Sequence, residues 1–140
     1  MEIKFKKIDP AAKLPQFAHP DDAGFDIFSL EDVCLAIGER YLFSCGLAAE
    51  ITSGFAVIIK PKGGLAVKSG IDVLAGVIDS GYRGEWKILL INLGTKSVSF
   101  KKGDKIAQGL VYSKPAVKFI IADQLSDSLR QKGGFGSSGK

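Results

Sequence analysis

The sequence predicts an all-β domain, a distorted jelly roll or β-sandwich barrel. Short runs rich in β-branched and aromatic residues recur along the chain, and helical periodicity is nearly absent. Glycine, proline, aspartate and serine occupy the segments between these runs, as at residues 36–39, 61–64 and 101–104. This alternation of short strands and turns is typical of antiparallel sandwiches and jelly rolls.

Each apolar run between turn signals is interpreted as one strand. The chain has 140 residues, the size of one domain with a hydrophobic core. We expect a β domain over residues 1–129 and a flexible, glycine-rich tail over residues 130–140, where the apolar surface is too small to fold by itself. One helical turn is expected within residues 65–70. In chain order, the predicted strands are residues 3–8, 33–37, 41–51, 55–60, 86–92, 97–100, 106–112 and 116–121.

Composition limits the classes of protein to consider. Apolar residues make up 46% of the chain, and no apolar run approaches the roughly 20 residues that span a bilayer, so no membrane partner is expected. The first seven residues alternate in charge and apolarity, which indicates a strand and not a signal peptide. We therefore expect an intracellular, cytoplasmic protein, with nuclear and viral contexts left open. Cys34 and Cys45 lack metal-ligand spacing and are expected to be buried free thiols.

The net charge of +4 favours a polyanionic ligand only weakly. Lysine and arginine are spread along the chain, so a nucleic acid, a nucleoside triphosphate or no specific anion would each fit. The aromatic residues are mostly single phenylalanines within apolar runs and are not interleaved with basic residues. Direct contact with nucleic acid is therefore not expected.

The most informative segment is residues 75–85, with the sequence AGVIDSGYRGE. Its three glycines permit the backbone conformations of a tight hairpin. Asp79 is expected at a strand end, where its carboxylate reaches a bound ligand, and Tyr82 presents its ring to a sugar or base. The alternative is a hairpin whose aspartate only caps its own turn.

Two other segments have the residue types of a phosphate site. Asp22 and Asp26, four positions apart before a strand, are candidates to hold hydrated Mg²⁺, which commonly binds few carboxylates together with substrate phosphates. The alternative is an acidic loop with a turn-capping aspartate. Gly63 and Gly64, in the loop 61–66, permit a concave array of backbone N–H groups that binds phosphate oxygens. The alternative there is a plain turn between strands.

Five segments in this order resemble the trimeric dUTPases, the deoxyuridine 5'-triphosphate nucleotidohydrolases. The resemblance covers essentially the whole chain and implies the dUTPase type of jelly roll. It also implies hydrolysis of dUTP to dUMP and pyrophosphate with Mg²⁺, which limits uracil in DNA and supplies dUMP. The segments are residues 22–26 (DAGFD), 61–66 (PKGGLA), 76–84 (GVIDSGYRG), 103–108 (GDKIAQ) and Arg130 with 133–139 (GGFGSSG).

The resemblance assigns roles to the candidate residues. In the resembled family, the aspartate at the position of Asp79 activates the water that attacks the α-phosphorus, and the positions of Asp22 and Asp26 contact the metal through water. Tyr82 by resemblance packs under the deoxyribose, while backbone groups around Ala75 and Gly76 read uracil. The resemblance further implies a homotrimer. Each of its three sites combines the hairpin of one subunit, the phosphate motifs of a neighbour and the tail of the third.

The remaining substrate contacts are also implied by the resemblance. Lys62 and Gly63 stand where the family commonly has arginine and serine, and the lost hydroxyl predicts slowed turnover. Two alternatives stay open: a slowed or inactive dUTPase-like nucleotide-binding or regulatory trimer and, with less support, a relative of dCTP deaminase, whose catalytic glutamate motif is absent here. The implied phosphate and base contacts are Lys62, Gly63, Gly64, Lys105, Gln108, Arg130, Phe135, Gly136 and Ser137.

Overall fold

Antiparallel β-strands make up most of the regular secondary structure in the computed structural model, which describes residues 1–129. The expected fold class is confirmed within these residues, which also contain one short helix. The strands are Ile3–Lys7 (β1), Gly24–Phe28 (β2), Val33–Leu35 (β3), Arg40–Ile51 (β4), Phe55–Pro61 (β5), Ile71–Leu74 (β6), Val77–Asp79 (β7), Glu85–Asn92 (β8), Val98–Phe100 (β9) and Lys105–Ser113 (β10), and the helix is Gly63–Ser69 (α1).

Two four-stranded sheets and one two-stranded ribbon enclose the core. The first sheet has the order β1-β4-β8-β6, the second has the order β2-β10-β5-β7, and β3 pairs with β9. All of these pairings are antiparallel. Neighbours in both larger sheets are distant in sequence, so the sheets form only when the whole chain folds.

The core follows from the alternation of side chains along the strands. In β8, Trp86, Ile88 and Leu90 are buried, whereas Lys87 between them is exposed. Phe43 of β4 packs edge-on against Phe100, with ring centroids 5.2 Å apart. Burying each such side chain contributes about 1.5–3 kcal/mol. The core therefore fixes the position of β8, the strand that follows the hairpin.

An irregularity in β4 anchors the start of β8. Ser44 pairs with Lys87, but Ala48 pairs with Glu85, so β4 bulges between them. Gly46 lies in the bulge with φ of 66°, and its backbone N–H donates to Oε1 of Glu85 at 2.9 Å. Only glycine adopts this conformation at low cost. The glutamate thus ties the end of the hairpin to the opposite strand.

The expected helical turn is confirmed, but the helix begins earlier. It starts at Gly63 and ends before Gly70, which has φ of 68° and donates its N–H to the carbonyl of Ala66 at 3.0 Å. The concave loop predicted for residues 61–66 is wrong in form, because Gly63 and Gly64 belong to the first turn of α1. No helix among residues 1–129 has the length and apolarity needed to cross a membrane.

Most predicted strands overlap observed ones, and one does not. Residues 116–121 form no strand, because no strand of the described chain lies beside them to pair with their backbone groups. Their apolar side chains are exposed, as for Phe119 at 93%. The short strands β2 and β6 were not predicted, and of β7 only its end at Asp79 was expected. Asp26 lies within β2 and not before a strand. The predicted tail at residues 130–140 lies outside the described residues.

Candidate active site

Most of the candidate residues that the structure describes line two separate cavities, whereas Gly63, Gly64 and Lys105 line neither. The hairpin cavity, of about 240 Å³, lies beside the turn between β7 and β8. The lysine cavity, of about 430 Å³, lies beside β2, the end of β5 and β10. The hairpin cavity is lined by Ile59, Ala75, Gly76, Val77, Ile78, Asp79, Tyr82, Glu85, Trp86 and Lys87. The lysine cavity is lined by Asp22, Ala23, Gly24, Asp26, Lys60, Lys62, Gln108 and Leu110.

The hairpin places Asp79 and Tyr82 in the same cavity. Asp79 ends β7, as predicted, and is exposed to solvent. The N–H of Tyr82 donates to the carbonyl of Asp79 at 3.1 Å, and the Tyr82 hydroxyl donates to the carbonyl of Glu85 at 3.0 Å. Arg83 donates to the carbonyl of Ser80 at 2.6 Å. These bonds close the turn and hold the phenol ring in place.

The entry to the hairpin has an unusual backbone. Ala75 has φ of 61°, and it is the one non-glycine residue with positive φ in the described part of the chain. Gly76 follows with φ of 130°, and its carbonyl accepts the N–H of Ile59 at 2.7 Å. A non-glycine residue in this region costs of order 1–3 kcal/mol, and such strain clusters at functional sites. No local sequence pattern indicates this strain, although both residues were expected to face the base.

Asp26 is the centre of the lysine cavity. Its side chain is 2% exposed, and Lys62 donates to its Oδ1. The Lys105 Nζ atom lies 2.6 Å from its Oδ2. Burial by itself raises the pKa of Asp26, but the ion pairs with Lys105 and Lys62 outweigh it and hold the pKa below its ordinary value. Asp26 is therefore a carboxylate at neutral pH.

Gln108 and Asp22 border the same cavity with partners of their own. Gln108 donates from Nε2 to the carbonyl of Pro61 at 2.9 Å. Gly24 leaves room for this side chain, since a Cβ there would lie 2.8 Å from its Oε1. Asp22 accepts the N–H of His19 at 2.9 Å, which is the turn-capping arrangement considered as an alternative. One Asp22 oxygen takes part in this bond, and the side chain still borders the cavity.

The donors present fit Mg²⁺ only in a hydrated form. No group of three His, Cys, Asp or Glu side chains in residues 1–129 is arranged to hold a metal ion. Asp22 and Asp26 nevertheless line one cavity, and Mg²⁺ usually keeps several waters and takes further ligands from phosphates. The two carboxylates fit such an ion through water and do not form a complete protein cage.

Gly63 and Gly64 begin α1 beside the lysine cavity. The first N–H groups of a helix have no partner within it. A Cβ built on either glycine meets no atom within 4 Å, so the space for a side chain is open. The candidate residues Arg130, Phe135, Gly136 and Ser137 lie outside the described residues.

The two cavities are far apart within one chain. Asp26, Gln108 and Lys60 are register partners in one row of the second sheet, whereas Asp79 pairs with Ala56, four residues before Lys60. At about 3.3 Å per residue and 4.8 Å between strands, Asp79 lies about 13 Å along the strands and about 14 Å across them from Asp26. Among residues 1–129, none lines both cavities. One chain therefore does not bring its predicted base and its lysines together.

Sequence reasoning missed several side chains at these cavities. Lys60 lines the lysine cavity through its register with Gln108, and Glu85 lines the hairpin cavity while holding the β4 bulge. Trp86, the single tryptophan of the chain, also lines the hairpin cavity. The register of β5 with β10 would have identified Lys60, but pairing between distant strands has no local sequence signal.

Comparisons with known proteins agree over the whole chain. A family model described as dUTPase matches residues 11–139. A deoxyuridine 5'-triphosphate nucleotidohydrolase from Nautilia profundicola is 46% identical over 142 residues and covers 100% of both chains. One from Clostridium tetani is 47% identical over 142 residues, covering 99% of this chain and 97% of the relative.

Solved structures agree on the fold. A mutant of the Staphylococcus bacteriophage 80alpha dUTPase with dUpNHpp superposes with a TM-score of 0.93 at 25% identity, covering 99% of both chains. A mutant dUTPase from phage phi11 of S. aureus, described for its coordination of a structural Mg(II) ion, has the same fold, with a TM-score of 0.83. The match has 21% sequence identity and covers 89% of this chain and 98% of the phage chain. Because the family model spans most of the sequence and full-length relatives share nearly half of its residues, the chain belongs to the dUTPase family.

Proposed function

We propose that the chain hydrolyses dUTP to dUMP and pyrophosphate, through attack of a water activated by Asp79 on the α-phosphorus. The observation that carries the proposal is the hairpin cavity of this dUTPase family member, where an exposed carboxylate, a tyrosine ring and two residues of unusual backbone converge. A carboxylate within hydrogen-bond reach of a water contributes roughly 10²–10⁴-fold as a general base. The reaction limits uracil in DNA and supplies dUMP.

The hairpin cavity is assigned to the nucleoside. Backbone groups at Ala75 and Gly76, which both line the cavity and both have positive φ, read uracil. The ring of Tyr82 packs under the deoxyribose and excludes a ribose 2'-hydroxyl by contact. Its hydroxyl is bonded to the carbonyl of Glu85, which fixes the ring. A small cavity with few polar groups suits one nucleoside.

The lysine cavity is assigned to the triphosphate. Lys62 and Lys105 supply positive charge, and Gln108 supplies an amide. Gly63 and Gly64 add backbone N–H groups at the start of α1. Mg²⁺, when bound, neutralises phosphate charge and orients the oxygens, and Asp22 and Asp26 face it through water. Residues of the tail, Arg130, Phe135, Gly136 and Ser137, close over the γ-phosphate and the base.

The complete site is assigned to a homotrimer. The separation of Asp79 from Asp26 within one chain supports sharing, because a triphosphate must reach both the base and the lysines. The exposed segment 116–121 also supports association, since Phe119 and Ile121 are covered by nothing in the described chain. The hairpin comes from one subunit, the lysine cavity from a neighbour, and the tail from the third. A closed three-fold ring satisfies this arrangement.

A second candidate is a trimer that binds the nucleotide with slow or no turnover. The open space at Gly63 favours it, because the hydroxyl common at this family position is absent. Loss of one such donor typically costs about 10²–10³-fold in rate. Glycine at position 63, where the family commonly has serine, predicts slower chemistry. It leaves Asp79 and the hairpin intact.

Pyrophosphate release separates the two candidates. The purified protein is assayed with Mg²⁺ and dUTP, dCTP, dTTP, dATP, dGTP or UTP, with Asp79→Asn as the matched inactive control. Binding of a nonhydrolysable dUTP analogue is followed by the fluorescence of Trp86, the single tryptophan, which lines the hairpin cavity. Release from dUTP above the Asp79→Asn level supports hydrolysis. Analogue binding without release supports the binding trimer, and release from dCTP or UTP at the dUTP rate contradicts the assigned specificity.

A further inference from the structure

We propose that Asp26 is a positioning residue that holds two ammonium groups at fixed places, that of Lys62, which lines the lysine cavity, and that of Lys105, which contacts Asp26 at the border of this cavity. This inference rests on the proposed function, because it deepens the role of the phosphate half of the site. The family resemblance had implied for Asp26 only a contact to metal through water. The structure shows direct contacts of both its oxygens with lysine nitrogens.

Three separate parts of the chain converge on this carboxylate. Asp26 lies inside β2, Lys62 is the N-cap residue of α1, and Lys105 is the first residue of β10. The carboxylate is 2% exposed, whereas the lysine side chains are 28% and 45% exposed. The acid is therefore buried, whereas both lysine side chains are partly open to solvent, and Lys62 also lines the cavity.

Lysine needs such a partner more than arginine does. Its ammonium is a point charge on a flexible four-carbon stem, and holding the stem in one rotamer costs conformational entropy. Arginine presents a planar fork that is already organised for a phosphate. A buried carboxylate that binds two ammonium groups at once removes part of their freedom before the substrate arrives. Ammonium groups that are already held in place lose less conformational entropy when the substrate binds.

The charges at the cavity keep the site attractive to phosphate. Two ammonium groups against one carboxylate leave one positive charge in excess, Lys60 adds a second, and Asp22 offsets one. The geometry gives Asp26 a role that does not depend on its own contact with the ligand. It would act through the lysines, so its removal should matter only while they are present.

A double-mutant cycle tests this dependence. The kcat/KM for dUTP and the affinity for a nonhydrolysable analogue are measured for four proteins: the parent chain, Asp26→Asn, Lys62→Met with Lys105→Met, and all three changes together. We expect Asp26→Asn to lower kcat/KM about tenfold or more in the parent chain, and less than about threefold when both lysines are gone. The proposal would be overturned if Asp26→Asn lowered kcat/KM equally with and without the two lysines. It would also be overturned if Asp26→Asn changed only the Mg²⁺ concentration needed for half-maximal rate.

Asp32→Asn is the matched control. Its carboxylate also meets lysine residues, with Lys102 N–H at 2.7 Å and Lys101 Nζ at 3.5 Å, but it is exposed and lines neither cavity. It should leave kcat/KM within about twofold of the parent value. Thermal unfolding of every variant establishes that each is folded at the assay temperature.

Nitrogen NMR of the lysine ammonium groups tests whether Asp26 holds Lys62 and Lys105 in place, and it requires no measurement of turnover. In the parent chain, the Nζ protons of Lys62 and Lys105 should exchange with water more slowly than those of the exposed Lys68, and Asp26→Asn should abolish the difference. Equal exchange for all three lysines in the parent chain would refute the positioning role, even if Asp26→Asn does not fold. If the chain released no pyrophosphate, the proposed function would fail while this measurement still decided the contact.

Discussion

The substitution Gly84→Ala should disable substrate recognition without unfolding the protein. A Cβ at Gly84 would lie 2.4 Å from Oη, 2.6 Å from Cζ and 2.9 Å from Cε2 of Tyr82. Contacts this short cannot persist, so the tyrosine ring must move. Gly84 does not have a positive φ, and the backbone therefore accepts alanine without strain. The substitution acts on the ring that we assign to the deoxyribose.

The expected cost differs between stability and activity. Moving the ring breaks the hydrogen bond from Tyr82 to the Glu85 carbonyl, worth about 0.5–1.5 kcal/mol. Replacing glycine at an unstrained position returns about 0.4–1 kcal/mol through the unfolded chain. The free energy of unfolding should therefore change by less than about 1 kcal/mol. A displacement of about 1 Å at a positioned group costs about 10²-fold in rate, so we expect kcat/KM for dUTP to fall by about 10–100-fold.

The assay compares kcat/KM for dUTP and UTP and the free energy of unfolding in denaturant. Gly81→Ala is the control within the same turn, because a Cβ there meets nothing within 4 Å and its φ is not positive. Gly81→Ala should keep both the rate and the preference for dUTP, whereas Gly84→Ala should lose both. Parent-like values for Gly84→Ala would refute the assignment of the tyrosine ring to the sugar.

Further predictions concern the base, the missing hydroxyl, the thiols and acid stability. Asp79→Asn should lower kcat by roughly 10²–10⁴-fold and leave analogue affinity within about threefold in the fluorescence titration; a full rate would remove it as the base. Gly63→Ser fits without a clash and should raise the rate by up to about 10²-fold, and no gain would show that the lost hydroxyl is not limiting. Burial, with the charges of Glu85 and Glu31, raises the pKa of Cys45 to about 12, while Cys34 is exposed, so a thiol reagent at pH 8 should modify Cys34 alone until the protein unfolds; two reactive native thiols would contradict this. The pKa of Asp26 is lowered in the folded chain, so its contribution to stability is present above the unfolded pKa and lost as the pH falls through the folded pKa; unfolding curves of Asp26→Asn should therefore show a weaker loss of stability in acid, and an identical loss would contradict the ion pairs.

The strands that sequence reasoning found are those with continuous apolar runs. β4, β5, β8 and β10 are long and buried on at least one face, so their composition identifies them. β2 was missed because Asp26 lies in its middle, and its charge is acceptable there only through lysines from distant segments. The start of α1 was missed because glycine is a poor helix former, and its two glycines indicate a loop locally.

Local sequence patterns can place the hairpin residues together, but not the residues that border the lysine cavity. The hairpin residues Asp79 and Tyr82 were identifiable because their turn is local in sequence. Cys45 is free and buried as expected, but Cys34 is free and exposed, because the short strand β3 turns it outward. The contacts of Asp26 with Lys62 and Lys105 depend on strand register across a whole sheet. No local pattern encodes such a register.

Subunit complementation tests the central claim that the site is shared between chains. The experiment uses two variants that are each impaired alone: Asp79→Asn, and Lys62→Met combined with Lys105→Met. The two variants are mixed, unfolded together and refolded as mixed assemblies. In a cyclic trimer, about a quarter of the sites then combine an intact Asp79 with intact lysines from a neighbour. If the site is shared between subunits, pyrophosphate release from dUTP recovers to about a quarter of the parent rate. A mixture no more active than the two variants refolded separately would contradict it.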